Sequence, residues 1–309
     1  MKSFQLKPGF QLAILRMGVA IAVLFKIFAE FNDLDMLFSQ QGIIQGVLSK
    51  PMAVKYALAL PVLTDFFHIH NEHLFLSITY LVFGVAACAL LVGYQSRISA
   101  FVCLVIHMMV FNGYNLLAFG FDGFLFSLLF YTFVFPVGKV YAVDEMMGRT
   151  GPVDTENLKL YLLVLQLHLC VVYLTAGVSK SGQDWMGGTA IWKAINQPQF
   201  YTDFTPFFRK LLSFPGMSAL LSWGTLFVEA FFPVLIFIRF MRINQLTLIA
   251  VVMMHLFIGA VMGLQLFAWI MIVFDLSAFA GVFLQKRVAA ADDLESDKIS
   301  DYMYLTGKR

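Results

Sequence analysis

The stretch LYLLVLQLHLCVVYLTAGVS (residues 160–179) decides the fold class, because it holds 20 consecutive residues without Asp, Glu, Lys or Arg. A helix needs about 20 mostly apolar residues to cross the hydrocarbon core of a bilayer. The run ends at Lys180, and a loop containing Trp185 follows. The stretch therefore predicts a transmembrane helix that ends in a lysine at the membrane boundary.

The composition of the chain extends this prediction from one helix to many. The 309 residues are 60% hydrophobic and only 13% charged, whereas a soluble domain carries about 25% charged residues. We therefore predict an all-α polytopic membrane protein with about eight transmembrane helices. The predicted spans cover residues 10–31, 73–94, 99–117, 122–138, 158–179, 218–239, 245–263 and 264–284.

Two further segments, residues 52–67 and 189–214, are apolar but interrupted by prolines and charged residues. Such segments are typical of interfacial or re-entrant helices, and we expect both on the outer face. Residues 1–287 are predicted to form one transmembrane domain. Residues 288–309 carry four acidic side chains between positions 292 and 297, which predicts an acidic cytoplasmic tail.

The lysines and arginines near the predicted helix ends indicate the orientation of the chain. With eight spans, most of these basic groups fall on the side of the two termini, which predicts that both termini are cytoplasmic. Residues 32–72 and 180–217 then lie outside, and Lys180 lies at the outer end of the fifth helix. The net charge of +2 gives no reason to expect a nucleic-acid partner, so the lipid bilayer is the first partner predicted.

The fifth predicted helix places a polar stripe beside Lys180. At about 100° per residue, the stripe holds Gln166, Tyr173, Ala176, Gly177 and Lys180. The small residues on it allow another helix or a flat ligand to approach the backbone. Two interpretations remain open. Lys180 is either an interfacial anchor, helped by Trp185 and Trp192 in an aromatic belt, or a functional group in a dry groove.

Other ionisable residues fall inside or beside the predicted spans, where each costs at least about 2.5–3.5 kcal/mol and is a functional hypothesis. Glu229 and His255 lie in the middle of the sixth and seventh helices. They can bond each other or hold a polar pocket. Asn112 and Asp122 flank the turn between the third and fourth helices. They belong either to a polar turn or to an outer cavity.

Three further polar features have mainly structural interpretations. Lys26 and Glu30 are four residues apart on the first helix and are expected to pair with each other. Arg16, in the same helix, either reaches lipid phosphates or finds a buried acidic partner. The histidines of HIHNEH (residues 68–73) are loosely spaced, with no matching acid–histidine motif, so no metal ligand is assigned.

Several motifs in the chain appear in the order found in one known family. They are LAILRMGVA (12–20), LFSQQGII (37–44), GYQSRIS (93–99), the segment 115–144 that ends in VYAVD, YLTAGVSKSGQDWMGGTAIW (173–192), VEAFFPVLIFIR (228–239) and MHLFIGAVMGLQLF (254–267). In this order they resemble the HTTM (horizontally transferred transmembrane) family. That family includes vitamin K-dependent gamma-glutamyl carboxylases and the sporulation-delaying-protein B maturation factors.

The resemblance implies a role for Lys180, which matches the catalytic lysine of the carboxylases. In those enzymes the neutral amine takes a proton from a reduced quinone. The quinone–oxygen chemistry that follows yields a strong base, which deprotonates a glutamate side chain so that carbon dioxide adds. The residues assigned to line such a pocket and bind the quinone are Tyr173, His255, Glu229, Asn112 and Asp122.

Two departures separate this chain from the carboxylases. It ends about 25 residues after its last predicted helix, without their large lumenal region, and Lys139 stands where they have a histidine. Its size is closer to that of the sporulation-delaying-protein B group, which matures a secreted peptide toxin.

The sequence-based hypothesis is therefore a carboxylase-like enzyme or peptide maturation factor in the bacterial cytoplasmic membrane. Its partner would be a secreted peptide or an extracytoplasmic protein. The alternative is a non-catalytic membrane subunit that docks an extracytoplasmic partner.

Overall fold

The computed structural model describes residues 6–44 and 58–283, and within these ranges the regular structure is helical, without a β-strand. The prediction of an all-α fold is thereby confirmed. The eight long helices are α1 (Phe10–Glu30), α2 (Glu72–Val92), α3 (Ser96–Gly113), α4 (Gly120–Val134), α5 (Thr155–Ser179), α6 (Met217–Leu235), α7 (Ile243–Met262) and α8 (Gln265–Phe279). The predicted tail 288–309 and positions 52–57 lie outside the described residues.

Seven of these eight helices are long and apolar enough to cross a membrane, with α8 counted together with the 3-10 turn that continues it to Phe283, and the chain is an integral membrane protein. Helix α4 has 15 residues, fewer than the roughly 20 needed for a full span. It ends early because Phe135, with ψ 153, precedes Pro136, and a residue before proline is disfavoured in the helical conformation. The fourth predicted span is thus a helix but shorter than expected.

Helix α8 lies at the centre of the bundle and packs against α1, α4, α5 and α7. Its contact with α1 is close because Gly18 has no Cβ, which would otherwise overlap the Val273 side chain. Trp269 of α8 reinforces the contact, since its Nε1 donates to the Gly18 carbonyl oxygen at 2.9 Å. The interior thus includes polar side chains on α8 as well as apolar ones.

The two ends of the bundle differ in what they carry. We call the end that holds Gly9 and Phe283 the terminus face, and the opposite end, which holds Glu30 and Lys180, the loop face. The loop face bears short helices in both segments predicted to be interrupted. These are Leu60–Phe66 in the first segment, and Ala190–Ile195, Pro198–Phe200 and Thr205–Leu212 in the second.

Arg16 is fully buried on the terminus face. Its Nη2 donates to the Tyr141 carbonyl oxygen at 2.6 Å, and its Nη1 lies 3.5 Å from the Leu90 carbonyl oxygen. Gly93 makes room for the guanidinium, because a Cβ at that position would overlap it. The partners of Arg16 are therefore mainly backbone carbonyls between helices, and not the lipid phosphates considered from the sequence.

Asp144 caps the start of α3 on the same face. Its carboxylate accepts hydrogen bonds at 2.8 Å from the Gln95 amide, the Ser96 amide and the Ser96 hydroxyl. Burial acts to raise the pKa of the Asp144 carboxyl, but these hydrogen bonds and the nearby Arg149 outweigh it, so the pKa lies below its ordinary value. The motifs GYQSRIS and VYAVD therefore meet each other and serve the fold.

Candidate functional site

Lys180 caps the C-terminus of α5 on the loop face and turns toward α6 instead of toward solvent. Its Nζ lies 2.5 Å from Glu229 Oε2, and the two side chains are 20% and 9% exposed. The same Nζ donates to the Ala176 carbonyl oxygen at 3.3 Å. The carboxylate of Glu229, a polar residue within an apolar helix, is therefore compensated by a single mostly buried ammonium.

The close approach of α5 to α6 makes this pair possible. Gly177 lies against the Ala230 backbone, and a Cβ on Gly177 would be 2.5 Å from the Ala230 nitrogen. Ala230 directly follows Glu229 in α6, and Gly177 is three residues before Lys180 in α5. The small residue in the stripe thus sets the helix separation at the level of the ion pair.

Trp185 covers the ammonium from the loop side. Its ring centroid lies 5.3 Å from Lys180 Nζ, a distance at which a cation is attracted by the face of an aromatic ring. The short helix Gln183–Met186 that carries Trp185 is held by Trp223, whose Nε1 donates to the Met186 carbonyl oxygen at 3.0 Å. Lys180 is therefore enclosed by a carboxylate, a carbonyl and an indole.

A second polar group lies deeper in the bundle and joins three helices. The Tyr173 hydroxyl is 2.9 Å from His255 Nε2, 2.9 Å from Asp275 Oδ1 and 3.1 Å from Asp275 Oδ2. All three residues are buried, and His255 Nδ1 has no hydrogen-bond partner among the described residues. This Tyr173–His255–Asp275 cluster ties α5, α7 and α8 together and leaves one imidazole nitrogen available.

Asp275 is not among the functional candidates that the sequence analysis names. It is an acidic residue inside the apolar helix QLFAWIMIVFDLSAF, so the rule that selected Glu229 would also have found it. Its partner Tyr173 was selected. The hydroxyl of Tyr173 donates to Asp275 rather than facing an open groove.

Aromatic rings flank the Tyr173–His255–Asp275 cluster on two sides. The Tyr173 ring is 4.2 Å, centroid to centroid, from the Phe232 ring, and Phe232 is three residues after Glu229 on α6. In the other direction, the His255 ring is 5.9 Å from the ring of Phe267. Phe232 thus links the helix that carries Glu229 to the Tyr173–His255–Asp275 cluster.

Asp122 belongs to a different place on the loop face. Its Oδ1 is 3.0 Å from Lys26 Nζ, which also lies 2.6 Å from Glu30 Oε1. Its Oδ2 accepts from the Phe119 amide at 2.9 Å and so caps α4. Glu30 Oε2 accepts from the Tyr80 hydroxyl at 2.8 Å. The expected Lys26–Glu30 pair is present, and Asp122 is a second acid on the same ammonium.

A cavity of about 350 Å³ opens beside this group, and we call it the Lys26 cavity. Its polar lining comes mainly from Lys26, Glu30 and Asp122, and its walls are largely aromatic and aliphatic. The aromatic residues that line it are Phe38, Phe111, Tyr114, Phe119, Phe121 and Phe267. A neighbouring cavity between residues 202–204 and helices α7 and α8 shares Gln265 with it.

The structure therefore divides the candidates chosen from the sequence. Lys180 contacts Glu229, and Tyr173 contacts His255, but Asp122 lies at the Lys26 cavity. Asn112 is in neither group, because its Nδ2 donates to the Leu58 carbonyl oxygen at 3.2 Å. Lys139 lies on the opposite, terminus face, where its Nζ donates to the Pro152 carbonyl oxygen at 3.2 Å.

Within residues 6–44 and 58–283, no three His, Cys, Asp or Glu side chains are grouped so that they could hold a metal ion. His73 of HIHNEH instead contacts Asp35, with Nδ1 at 2.6 Å from Oδ2. The chemistry that the site can offer is proton transfer, since its groups are an amine, two carboxyls, a phenol and an imidazole.

The family comparison matches most of the chain. The family model described as HTTM domain covers residues 11–280, which include all eight long helices except Phe10, the first residue of α1. No curated protein and no solved structure matches the chain.

Proposed function

We propose that this chain, which belongs to the HTTM family, is an integral-membrane enzyme that uses Lys180 as a base on the loop face. The observation that carries the proposal is the 2.5 Å contact between Lys180 Nζ and Glu229 Oε2. At this distance Glu229 Oε2 lies within direct reach of a proton on Lys180 Nζ, so the proton can pass from the amine to the carboxylate. The exchange leaves a neutral amine that can act as a base.

The step assigned to Lys180 is a single proton transfer. With its proton passed to Glu229, the amine accepts a proton from a substrate hydroxyl, so an O–H bond breaks and an N–H bond forms. The electron pair of the broken bond stays on the substrate oxygen. Glu229 thereby takes up the proton of Lys180 and later returns it. Apart from its contact with Lys180, Glu229 Oε2 has no hydrogen-bond partner among the described residues.

The surroundings of the pair support an amphipathic hydroxyl compound such as a reduced quinone. Trp185 offers a flat apolar surface next to the ammonium, and the Lys180 side chain is still 20% exposed, so a bound molecule can reach it. A reduced quinone, when bound, would supply electrons for oxygen chemistry. Lys180 would hold the abstracted proton, and Trp185 would orient the ring.

Two finer functions are compatible with this step. One is carboxylase-like modification of a glutamyl side chain, and the other is maturation of a secreted peptide. Both place the peptide on the loop face, which the sequence predicts to be extracytoplasmic. We propose the common part, a quinol-dependent proton transfer at Lys180, as the activity to test first.

The test is oxygen-dependent consumption of menadiol, a soluble reduced naphthoquinone, by the full chain in lipid nanodiscs. Lys180→Met should lower the protein-dependent rate by at least about 100-fold, the usual scale of a lost general base. Lys193→Met is the matched control, because Lys193 forms an exposed 2.5 Å pair with Asp184 in the same region. A wild-type rate no higher than that of empty nanodiscs would refute the proposal.

The docking alternative has one observation in its favour. Several aromatic side chains in the second interrupted segment are more than half exposed, namely Tyr201, Phe204, Phe207 and Phe214. A subunit that docks an extracytoplasmic protein would lose function when Phe204 and Phe207 are replaced by serine. It would keep function in Lys180→Met, which is the opposite of the result expected for the enzyme.

A further inference from the structure

The Lys26 cavity holds charged groups that the proton transfer at Lys180 does not use. Lys26 and Asp122 are 5% and 6% exposed, and Glu30 completes the group. One ammonium and two carboxylates have a formal sum of −1. Of the described residues in the lining, the one further titratable side chain is Tyr114, whose hydroxyl donates to the Phe38 carbonyl oxygen. The polar end of the cavity thus carries an excess negative charge in apolar surroundings.

Among the described residues, the groups around this cluster do not cancel the excess. The Tyr80 hydroxyl donates to Glu30 Oε2 and is neutral. His107 lies behind Asp122, with Nε2 at 2.9 Å from the Asp122 carbonyl oxygen and Nδ1 without a partner among the described residues. The Glu30 side chain is 20% exposed, and together with Asp122 it leaves one negative charge that Lys26 does not balance. A positive group entering the cavity would therefore be favoured.

The carboxylates also keep hydrogen-bonding capacity. The oxygens of Glu30 accept from Lys26 and Tyr80, and those of Asp122 accept from Lys26 and the Phe119 amide. A carboxylate has about four lone-pair sites, and an ammonium brings three donors. Each acid can therefore accept a further hydrogen bond from a ligand ammonium.

The walls of the Lys26 cavity determine the size and polarity of the part of the ligand that carries the ammonium. Five phenylalanines line the cavity, and aromatic faces attract cations as well as apolar groups. A volume of about 350 Å³ is at the lower end of ligand pockets. At about 30 Å³ per non-hydrogen atom, the volume of one water in the liquid, it holds roughly twelve such atoms.

We propose that the Lys26 cavity binds a primary ammonium group carried by a small apolar body, with Glu30 and Asp122 as its counter-charges. The ammonium can belong to a free amine or to the amino terminus of a peptide that begins with an apolar residue. An anionic ligand of the same size is rejected, because it would face two carboxylates.

The first test compares three probes of similar size on the unaltered full chain in phosphatidylcholine nanodiscs, with empty nanodiscs subtracted. The probes are phenethylamine, phenethyl alcohol and 3-phenylpropionate, and the measurement is equilibrium binding at pH 7. The amine should bind saturably and at least tenfold more tightly than the carboxylate. Equal affinities, or no saturable binding of the amine, would overturn the proposal.

The second test removes one counter-charge. Glu30→Gln keeps the shape and one acceptor for Tyr80, and should weaken phenethylamine binding at least tenfold while leaving phenethyl alcohol unchanged. Glu156→Gln is the matched control, because Glu156 is an exposed acid paired with Lys159 at the start of α5. The same amine affinity in Glu30→Gln and Glu156→Gln would contradict the assignment.

A third comparison separates the two sources of the ammonium. The peptide Phe-Gly-Gly with a free amino terminus is measured beside its N-acetylated form. Tighter binding of the free peptide than of phenethylamine identifies a peptide terminus as the ligand, and tighter binding of phenethylamine than of the peptide identifies a small amine. If the acetylated peptide bound as tightly as the free one, the charge-based assignment would be wrong.

Discussion

Gly177 is the position at which a one-carbon change should disturb the Lys180–Glu229 pair without touching either residue. In Gly177→Ala the new Cβ would lie 2.5 Å from the Ala230 nitrogen, whereas ordinary contacts begin near 3.4 Å. The obstacle is helix backbone and cannot rotate away. Helices α5 and α6 must therefore separate by about 1 Å, an adjustment that typically costs about 1–3 kcal/mol.

The same separation weakens the ion pair. Lengthening the 2.5 Å contact by about 1 Å lowers its Coulomb energy by about 2 kcal/mol at an effective dielectric constant near 20. A displacement of about 1 Å at a reacting group can also lower a rate about 100-fold. We therefore expect Gly177→Ala to lose both stability and menadiol consumption.

The assay is unfolding of the detergent-solubilised protein by a denaturing detergent, followed by the rate measurement in nanodiscs. Gly224→Ala is the control, since Gly224 lies on α6 and a Cβ there meets nothing within 4 Å. It should leave stability unchanged or raise it by up to about 1 kcal/mol, because alanine favours helix over glycine. A Gly177→Ala protein as stable and active as wild type would refute the packing argument.

Three further substitutions test other buried polar groups. Tyr173→Phe removes the hydroxyl that donates to Asp275 and should lower the unfolding free energy by about 1–3 kcal/mol. Asp144→Asn should destabilise the protein at neutral pH. Because the pKa of Asp144 is lowered in the folded protein, the difference in unfolding free energy between wild type and Asp144→Asn should become smaller as the pH falls below about 4 toward that lowered pKa. Arg16→Met leaves the Tyr141 carbonyl oxygen without its donor and should also cost about 1–3 kcal/mol.

Each of these predictions has a control on the same kind of side chain. Tyr161→Phe, on a ring that packs against Phe135, should leave stability unchanged. For Glu156→Gln, the difference in unfolding free energy from wild type should not change as the pH falls. Arg97→Met removes an exposed arginine that lies over the Phe133 ring, and it should leave stability unchanged. If a control lowered stability as much as its buried counterpart, hydrogen bonding at the buried site would not explain the loss.

The fold could be predicted well because length and apolarity determine transmembrane helices. The eight predicted segments match the eight long helices, and α4 is shorter than predicted because Pro136 ends it. The predicted interrupted segments also contain short helices. These features depend on local sequence, which hydropathy and proline positions report directly.

The polar contacts between helices could be predicted only in part. Periodicity placed Tyr173 and Lys180 on one stripe, but it does not say which helix faces that stripe. The contacts of Lys180 with Glu229 and of Tyr173 with Asp275 join different helices, so only the structure identifies them. The sequence places Asp122 on the outer turn and pairs Lys26 with Glu30 on one helix, but it does not show that Asp122 also contacts Lys26.

The measurement that most directly tests proton transfer at Lys180 is the charge-swapped double variant, Lys180→Glu with Glu229→Lys. If the amine must be at position 180 to act as a base, the swap should restore the unfolding free energy lost in Lys180→Glu alone while menadiol consumption stays absent. If the swap restored consumption to the wild-type rate, the pair would be a structural salt bridge and Lys180 would not be the base.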